Sequence, residues 1–453
     1  MKNQIISFAS CALLSCALTL TAQNIENTSL GNNALPVATN KRNVAIGDYS
    51  LNKNTAGKGN SALGFEALKN NVSGEFNTAV GGFTLTAVTN SSNDSNTAVG
   101  YKSQEFAIGN KNVTMGYQSF QYGTGSYNVA IGTRAMSNSR GTDNIAVGYS
   151  ATDNVTGSNN TAIGSWALRS GQSANTAIGY KSQTSATGNS TPSVGYYTLK
   201  STTGRNNVAV GNYALQSHNS GGYNTAIGAS ALSQARVGNK NTGVGHSALH
   251  NVTGSENTAL GSGAGRNITT GMRNIAIGLD AGGSINSSYN IIMGYRSEAT
   301  TSDNNIIIGK KITLPAGTSN GLNIGGVLFG SGLHSELPDY PSAAPANGRI
   351  GINVVNPQAT LDVNGDIRAN EIKINLNGGA DFVFAEDYKL MNLSDLDEFV
   401  STNKHLPDVA PAAEMVSEGV DMGEFQIKLL QKIEELTLYI IEQDKRIQEL
   451  ENK

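Results

Sequence analysis

The chain has 453 residues, of which 53 are Gly, 14% are charged and 6% aromatic, and its net charge is −3. So little charge, so evenly balanced, excludes an electrostatic binder of nucleic acid or of an anionic membrane. Glycine richness without a period signals disorder, whereas with a period it signals a repetitive fold.

The first 23 residues, MKNQIISFASCALLSCALTLTAQ, place a lysine before an apolar middle and a small-residue exit at Thr21-Ala22. This is the pattern of a secretory signal peptide, which sets the expected location as extracellular or cell surface. Both cysteines, Cys11 and Cys16, lie inside it, and Leu13-Leu14-Ser15-Cys16 loosely resembles a lipoprotein cleavage box. Cleavage near Ala22 leaves a chain without a disulfide. No other segment reaches the ~18 apolar residues a membrane helix needs. Residues 24–42 read as a lead-in.

From 43 to 313 one motif recurs. Seventeen copies end on a glycine, from Gly47 and Gly64 to Gly294 and Gly309, at intervals of 15 to 19 residues. Sixteen have Asn four places before that glycine, Thr191 being the exception, and all have Ile, Val, Leu or Met just before it. The consensus is G-x-x-N-T-A-I-G-x-x-A-L, as in GSNNTAIGSWAL. Alternation along a strand puts the positions three and one before the glycine on one face. The first is β-branched in fifteen copies and the second always aliphatic, so that face is expected to point into a core. The opposite face carries Asn and a small residue, Ala in twelve copies, and reads as the side where another backbone approaches closely.

One copy cannot fold alone. Three or four apolar side chains at ~1.5–3 kcal/mol each do not offset the ordering of 16 residues at roughly 1–2 kcal/mol apiece. Stability is therefore collective. The pattern predicts a parallel β-solenoid whose glycines mark corners, whose Asn residues form a ladder, and whose chains associate along the alanine-lined side.

The repeat N-x-[ATS]-[IVLM]-G-x-x-[AST] resembles the head of YadA-like trimeric autotransporter adhesins. That resemblance implies a left-handed parallel β-roll of three wound chains, here of about 17 short coils. The intervals are slightly longer than the family's usual ones, and the C-terminus lacks the family's membrane-barrel segment.

Residues 314–347, rich in Gly and Pro, read as a connector. Residues 348–378 alternate apolar and polar positions around Asn-Pro and Asn-Gly turns and predict a β-hairpin junction, similar to junctions in secreted fibre-like proteins of Bacteroidetes-type bacteria and in phage tail fibres. Residues 379–421 form a small α/β or helical module, with Ser394-Asp395-Leu396-Asp397 as a capping box and Pro407 and Pro411 as breaks. In 422–453, Leu429, Ile433, Leu436, Ile440, Ile447 and Leu450 make a heptad seam, a coiled-coil helix. That seam nominally favours two strands, but the longer head and the flanking Ile427, Leu430 and Ile441 favour three. Seventeen coils at ~4.8 Å span roughly 80 Å, and about 30 helical residues add roughly 45 Å, so a rod is expected.

His246 and His250 are four apart but in turn-rich sequence, without the helix of a zinc motif. Gly317 to Gly321 fits G-x-S-x-G only formally. No cofactor, catalytic group or metal is expected. The aromatics are more telling: Tyr101, Tyr117, Tyr149, Tyr180, Tyr196 and Tyr295 directly follow the motif glycine, and Trp166 sits one place later. They either stack between coils over the corners or form an exposed stripe that binds glycan or protein. The functional expectation is a non-enzymatic, homotrimeric adhesive rod for cells, matrix or glycans. The alternative is a tail-fibre-like protein with a C-terminal self-processing or intramolecular chaperone module.

Overall fold

A computed structural model describes residues 27–36, 42–87, 93–185, 188–217, 219–299, 302–332, 347–375 and 378–452. The signal peptide with Cys11 and Cys16, His218, His334 and residues 333–346 of the connector lie outside these. The chain divides after Gly365 into two compact units.

The first unit is a parallel β-solenoid. Its strands run from β1 (Asn27–Leu30) and β2 (Asn43–Ile46) to β19 (Leu322–Ile324), each of two to four residues and each pairing in parallel with the next. Register follows the motif without slippage: Ala146 lies beside Ala162, which lies beside Ala177. Two turns fall outside the expected 43–313. Asn27-Thr28-Ser29-Leu30-Gly31 is a motif copy within the lead-in, and Leu322–Ile324 with Gly325 closes a last coil inside the connector.

The motif glycines turn each corner with φ between +123° and +156° for Gly47 to Gly309, backbone that side-chain-bearing residues avoid. They are also stacked. A Cβ on Gly148 would sit 2.8 Å from the carbonyl carbon of Gly164, one coil on.

The expected orientation of the two strand faces is reversed. In β2 the Asn and Ala positions are buried, Val44 is exposed and Ile46 partly so, and the same alternation repeats through the ladder. The core is the small-residue side: Ala45, Ala62 and Ala79 of the strands meet Leu51, Leu68 and Leu85, four places after each glycine. The reason is volume. A coil of 16 or so residues encloses too narrow a space for two rows of Ile and Val, but one Ala row against one Leu row fills it at native density. Where Gly282 takes the Leu position, Ile285 and Ile292 fill the space, their Cδ1 atoms 2.7 and 3.5 Å from where a Gly282 Cβ would lie. The aliphatic positions thus line the outside, with Leu63 at 48% exposure and Leu260 at 50%.

The Asn ladder forms as expected. The backbone N–H of Asn60 donates to Asn43 Oδ1 at 3.0 Å, and Asn60 Nδ2 donates to the Gly74 carbonyl of the next coil at 2.8 Å. At the one exception, Thr191 keeps the contact, its N–H and Oγ1 both donating to Asn175 Oδ1 at 3.2 and 2.8 Å.

The junction differs from a hairpin within 348–378. β20 (Leu328–Ser331) pairs antiparallel with β19 across the Gly325-Gly326 turn, and antiparallel with β21 (Arg349–Ile352). β21 then pairs in parallel with β22 (Leu361–Val363). The Asn-Pro at 356–357 therefore lies in a link between parallel neighbours, not in a tight turn.

In the second unit a 3-10 turn, Asp381–Phe384, precedes α1 (Leu393–Asn403), α2 (Ala412–Glu418) and α3 (Met422–Glu451). The cap of α1 is Asn392, whose side chain accepts from the Asp395 N–H at 2.9 Å; Ser394, assigned that role from sequence, is the second residue of the helix. Pro411 stands at the N-cap of α2, and Asp421 caps α3 by accepting from the Glu424 N–H at 2.9 Å. Tyr439 donates to the Met391 carbonyl, and Tyr388 to Glu435, fixing the preceding segment to α3. The seam residues Leu429, Ile433, Leu436, Ile440, Ile447 and Leu450 are all exposed along this single helix. No helix among the described residues is long and apolar enough to cross a membrane.

Candidate functional site

The segment that follows each motif glycine decides what the solenoid shows to its surroundings. The residue two places after the glycine adopts positive φ in coil after coil: Arg134 at +54°, Trp166 at +55°, Lys181 at +53° and Tyr197 at +52°. This conformation is costly for bulky side chains and persists only where surrounding bonds enforce it. Here the bonds run between coils, the Trp166 N–H donating to the Tyr149 carbonyl at 3.0 Å and the Tyr197 N–H to the Tyr180 carbonyl at 3.1 Å. The large side chain is thereby turned outward, while the next two residues point into the core.

Successive aromatics fall within reach of one another, in two columns. The first runs Tyr49, Phe65, Phe83, Tyr101 and Tyr117, ending in a stacked Tyr101–Tyr117 pair with centroids 5.9 Å apart and planes 7° from parallel. The second holds Tyr149, Trp166, Tyr180, Tyr196, Tyr197 and Tyr213, with Tyr149–Trp166 at 5.7 Å and Tyr180–Tyr196 at 5.5 Å. Thr133 and Arg134 occupy the gap between them. Tyr295 stands apart from both, beneath Arg296 and Lys311. Of the seven residues singled out in the sequence, the structure brings six into ringed columns and leaves one alone. Both sequence readings have a share in this: the rings stack over the corners, yet Tyr149 remains 45% exposed.

The lysines of the columns escaped sequence reasoning. Lys181 Nζ lies over Trp166 at 4.7 Å, Tyr180 at 5.1 Å and Tyr197 at 5.5 Å. Hydrogen bonding to the hydroxyls of Tyr180 and Tyr197 holds its pKa above the ordinary lysine value, so it remains charged. A further aromatic position also went unread. Phe76, Tyr127, Tyr223 and Tyr289 each immediately precede the ladder Asn, all at positive φ, with Lys58, Lys111 and Arg273 over three of them. The signal was present as an aromatic-Asn pair recurring in four copies.

The second column walls a groove of about 730 Å³. Tyr149, Trp166 and Tyr197 supply its rings, and Arg134, Arg169, Lys181 and Lys200 its charge, with Asp153 as the acidic member. Gln118, Asn138, Thr184 and Ser185 add neutral donors and acceptors. The groove can bind and orient a ligand. Its lining includes no histidine or cysteine and no pair of carboxylates for proton transfer.

His246 and His250 share their neighbourhood with Arg266, and burial followed by the Arg266 charge pushes the His250 pKa below its ordinary value. Among the described residues no group of three or more His, Cys, Asp or Glu is placed to hold a metal ion. Comparison of the chain with protein-family models, with curated proteins and with solved structures finds no match.

Proposed function

We propose that this protein is a non-enzymatic, secreted or cell-surface fibrous adhesin, a homotrimer whose solenoid presents a repetitive flank to cells, matrix or glycans. The observation that carries the reading is the aliphatic face of the strands. From Val44 to Ile324 it runs the length of the ladder, roughly 80 Å for seventeen coil spacings, and no described part of the chain covers it: Ile131, Ile163 and Ile227 are each about 40% exposed. Monomeric proteins rarely leave so long an apolar strip in water, and such strips mark association surfaces. Two further features support it. The seam of α3 is a second unpaired apolar stripe, suited to a coiled coil of the same copies. The motif's resemblance to adhesin heads supplies the trimer and the adhesive role.

The test is attachment. The purified, labelled protein is offered to intact cells, matrix proteins and glycan arrays, alongside a variant with Tyr149→Ser, Trp166→Ser and Tyr180→Ser. Saturable attachment lost in the variant, with the variant still folded, supports the reading. No attachment on any surface turns it toward a passive spacer or coat component.

A further inference from the structure

The groove of the second column differs from the rest of the solenoid in charge. At the same two positions of other coils three cations are matched, Lys69 with Glu66 at 2.7 Å, Lys102 with Glu105 at 3.4 Å and Arg296 with Asp280 at 3.4 Å, while Arg266 and Lys311 stand singly rather than gathered in one groove. In the groove Arg134, Arg169, Lys181 and Lys200 meet no carboxylate among the described residues, and the one acid, Asp153, takes a hydrogen bond from Asn138 Nδ2 at 3.4 Å. Four cations against one acid leave an excess of three positive charges, in a chain whose net charge is −3. Coil stacking gathers positive charge in the same place as it gathers rings.

We propose that this groove binds an acidic polysaccharide, its carboxylate or sulfate groups on Arg134, Arg169, Lys181 and Lys200, and its sugar rings against Trp166 and its neighbours. Three features fix the class. The groove crosses six coils, from Gln118 to Tyr197, roughly 24 Å at one strand spacing per coil, which suits a polymer segment rather than one small anion. The guanidinium forks of Arg134 and Arg169 match the planar, two-oxygen geometry of an acid group. The rings offer edges and partial faces, since Lys181 already covers Trp166 and each tyrosine leans on its neighbour. The C–H faces of sugars pack against such surfaces, whereas single-stranded nucleic acid needs open ring faces on which bases stack. The inference deepens the adhesin reading by naming the ligand class of its candidate site, and rests on that reading only for its biological purpose.

The structure carries its own reporter, because Trp166 is the chain's single tryptophan. The full protein is titrated with polygalacturonate, with dextran sulfate and with neutral dextran while tryptophan emission is followed. The expected result is a saturable emission change with the acidic polymers and none with neutral dextran, weakened by salt. A variant with Arg134→Ser, Arg169→Ser, Lys181→Ser and Lys200→Ser binds at least about tenfold more weakly, as the loss of four exposed charge contacts requires. The paired variants Arg134→Ser/Arg169→Ser and Lys181→Ser/Lys200→Ser each show part of that loss and serve if the fourfold change unfolds the chain. A control with Lys53→Ser, Arg140→Ser, Arg236→Ser and Lys310→Ser binds as the unmodified protein does. An equal loss in the control, tighter binding of polyglutamate or single-stranded DNA, or no emission change with either acidic polymer overturns the proposal. Acidic-polymer binding and surface attachment that both survive removal of the four cations overturn it and leave the adhesin reading standing. Acidic-polymer binding without attachment supports the groove and removes the adhesin reading.

Discussion

Asn144 Oδ1 accepts two hydrogen bonds from Asn160, one from its backbone N–H and one from its Nδ2, each at 3.0 Å. Asn160 Oδ1 in turn accepts from the Asn175 N–H at 2.9 Å. Both asparagines are buried, so each is a link that water cannot replace. Asn160→Ala leaves the Asn175 N–H without its acceptor, and the expected loss is about 2–3 kcal/mol. Denaturant unfolding followed by circular dichroism measures it. A change within error of zero would show that the ladder is ornamental and the backbone bonds suffice.

The corner glycines make a second point of failure. Gly148 has φ +132° and lies against Gly164 of the next coil. Gly148→Ala forces a side chain into backbone that only glycine adopts readily, costing about 1–3 kcal/mol in conformation alone, and the contact with Gly164 adds to it. Thermal melting should show a clear fall for Gly148→Ala and a far smaller one for Ser165→Ala, an exposed-side change one coil on.

The aliphatic strip predicts the state of assembly. Ile163→Lys combined with Ile227→Lys places charges on the outward face without touching the alanine core. Sedimentation should shift from a trimer toward single chains, with the β signal retained. If the unmodified protein already sediments as an ordered single chain at micromolar concentration, the association reading is lost.

His250 gives a pH dependence. Its folded pKa lies below the ordinary 6.5 because burial and the charges of Arg266 and His246 oppose protonation. The unfolded chain therefore takes up the proton first. Stability is full above the unfolded value and declines as pH falls through about 6.5 and below. His250→Asn should lessen the fall in Tm between pH 7.5 and pH 5.5, and an unchanged fall would assign the acid sensitivity to other groups.

Much of this architecture was legible in the residues. The recurrence of Asn, Gly and Ala fixed the number of coils to within the two ends: Gly325 escaped because its flanking positions depart from the consensus, whereas Gly31, whose Asn27, Ser29, Leu30 and Ala34 all fit it, was passed over within the lead-in. Asn-ladder geometry and glycine corners follow from local chemistry, since a buried amide needs partners and a tight corner needs positive φ. The aromatic positions were visible too, because they keep a fixed distance from the motif glycine. The charged half of the groove was not: Arg134, Arg169, Lys181 and Lys200 are scattered singletons in the sequence, joined only when coil stacking brings positions 15 and 16 residues apart side by side.

By itself the sequence determined that the strands have two unlike faces, one aliphatic and one of Asn and Ala, because strand periodicity depends only on the backbone. Which face turns inward was decided by the closed coil. Only the small side chains leave room for Leu51, Leu68 and their successors from the opposite wall, so alanine went in and isoleucine was left outside. Hydrophobicity marks what gains from burial, but the width of the enclosure selects what is buried first.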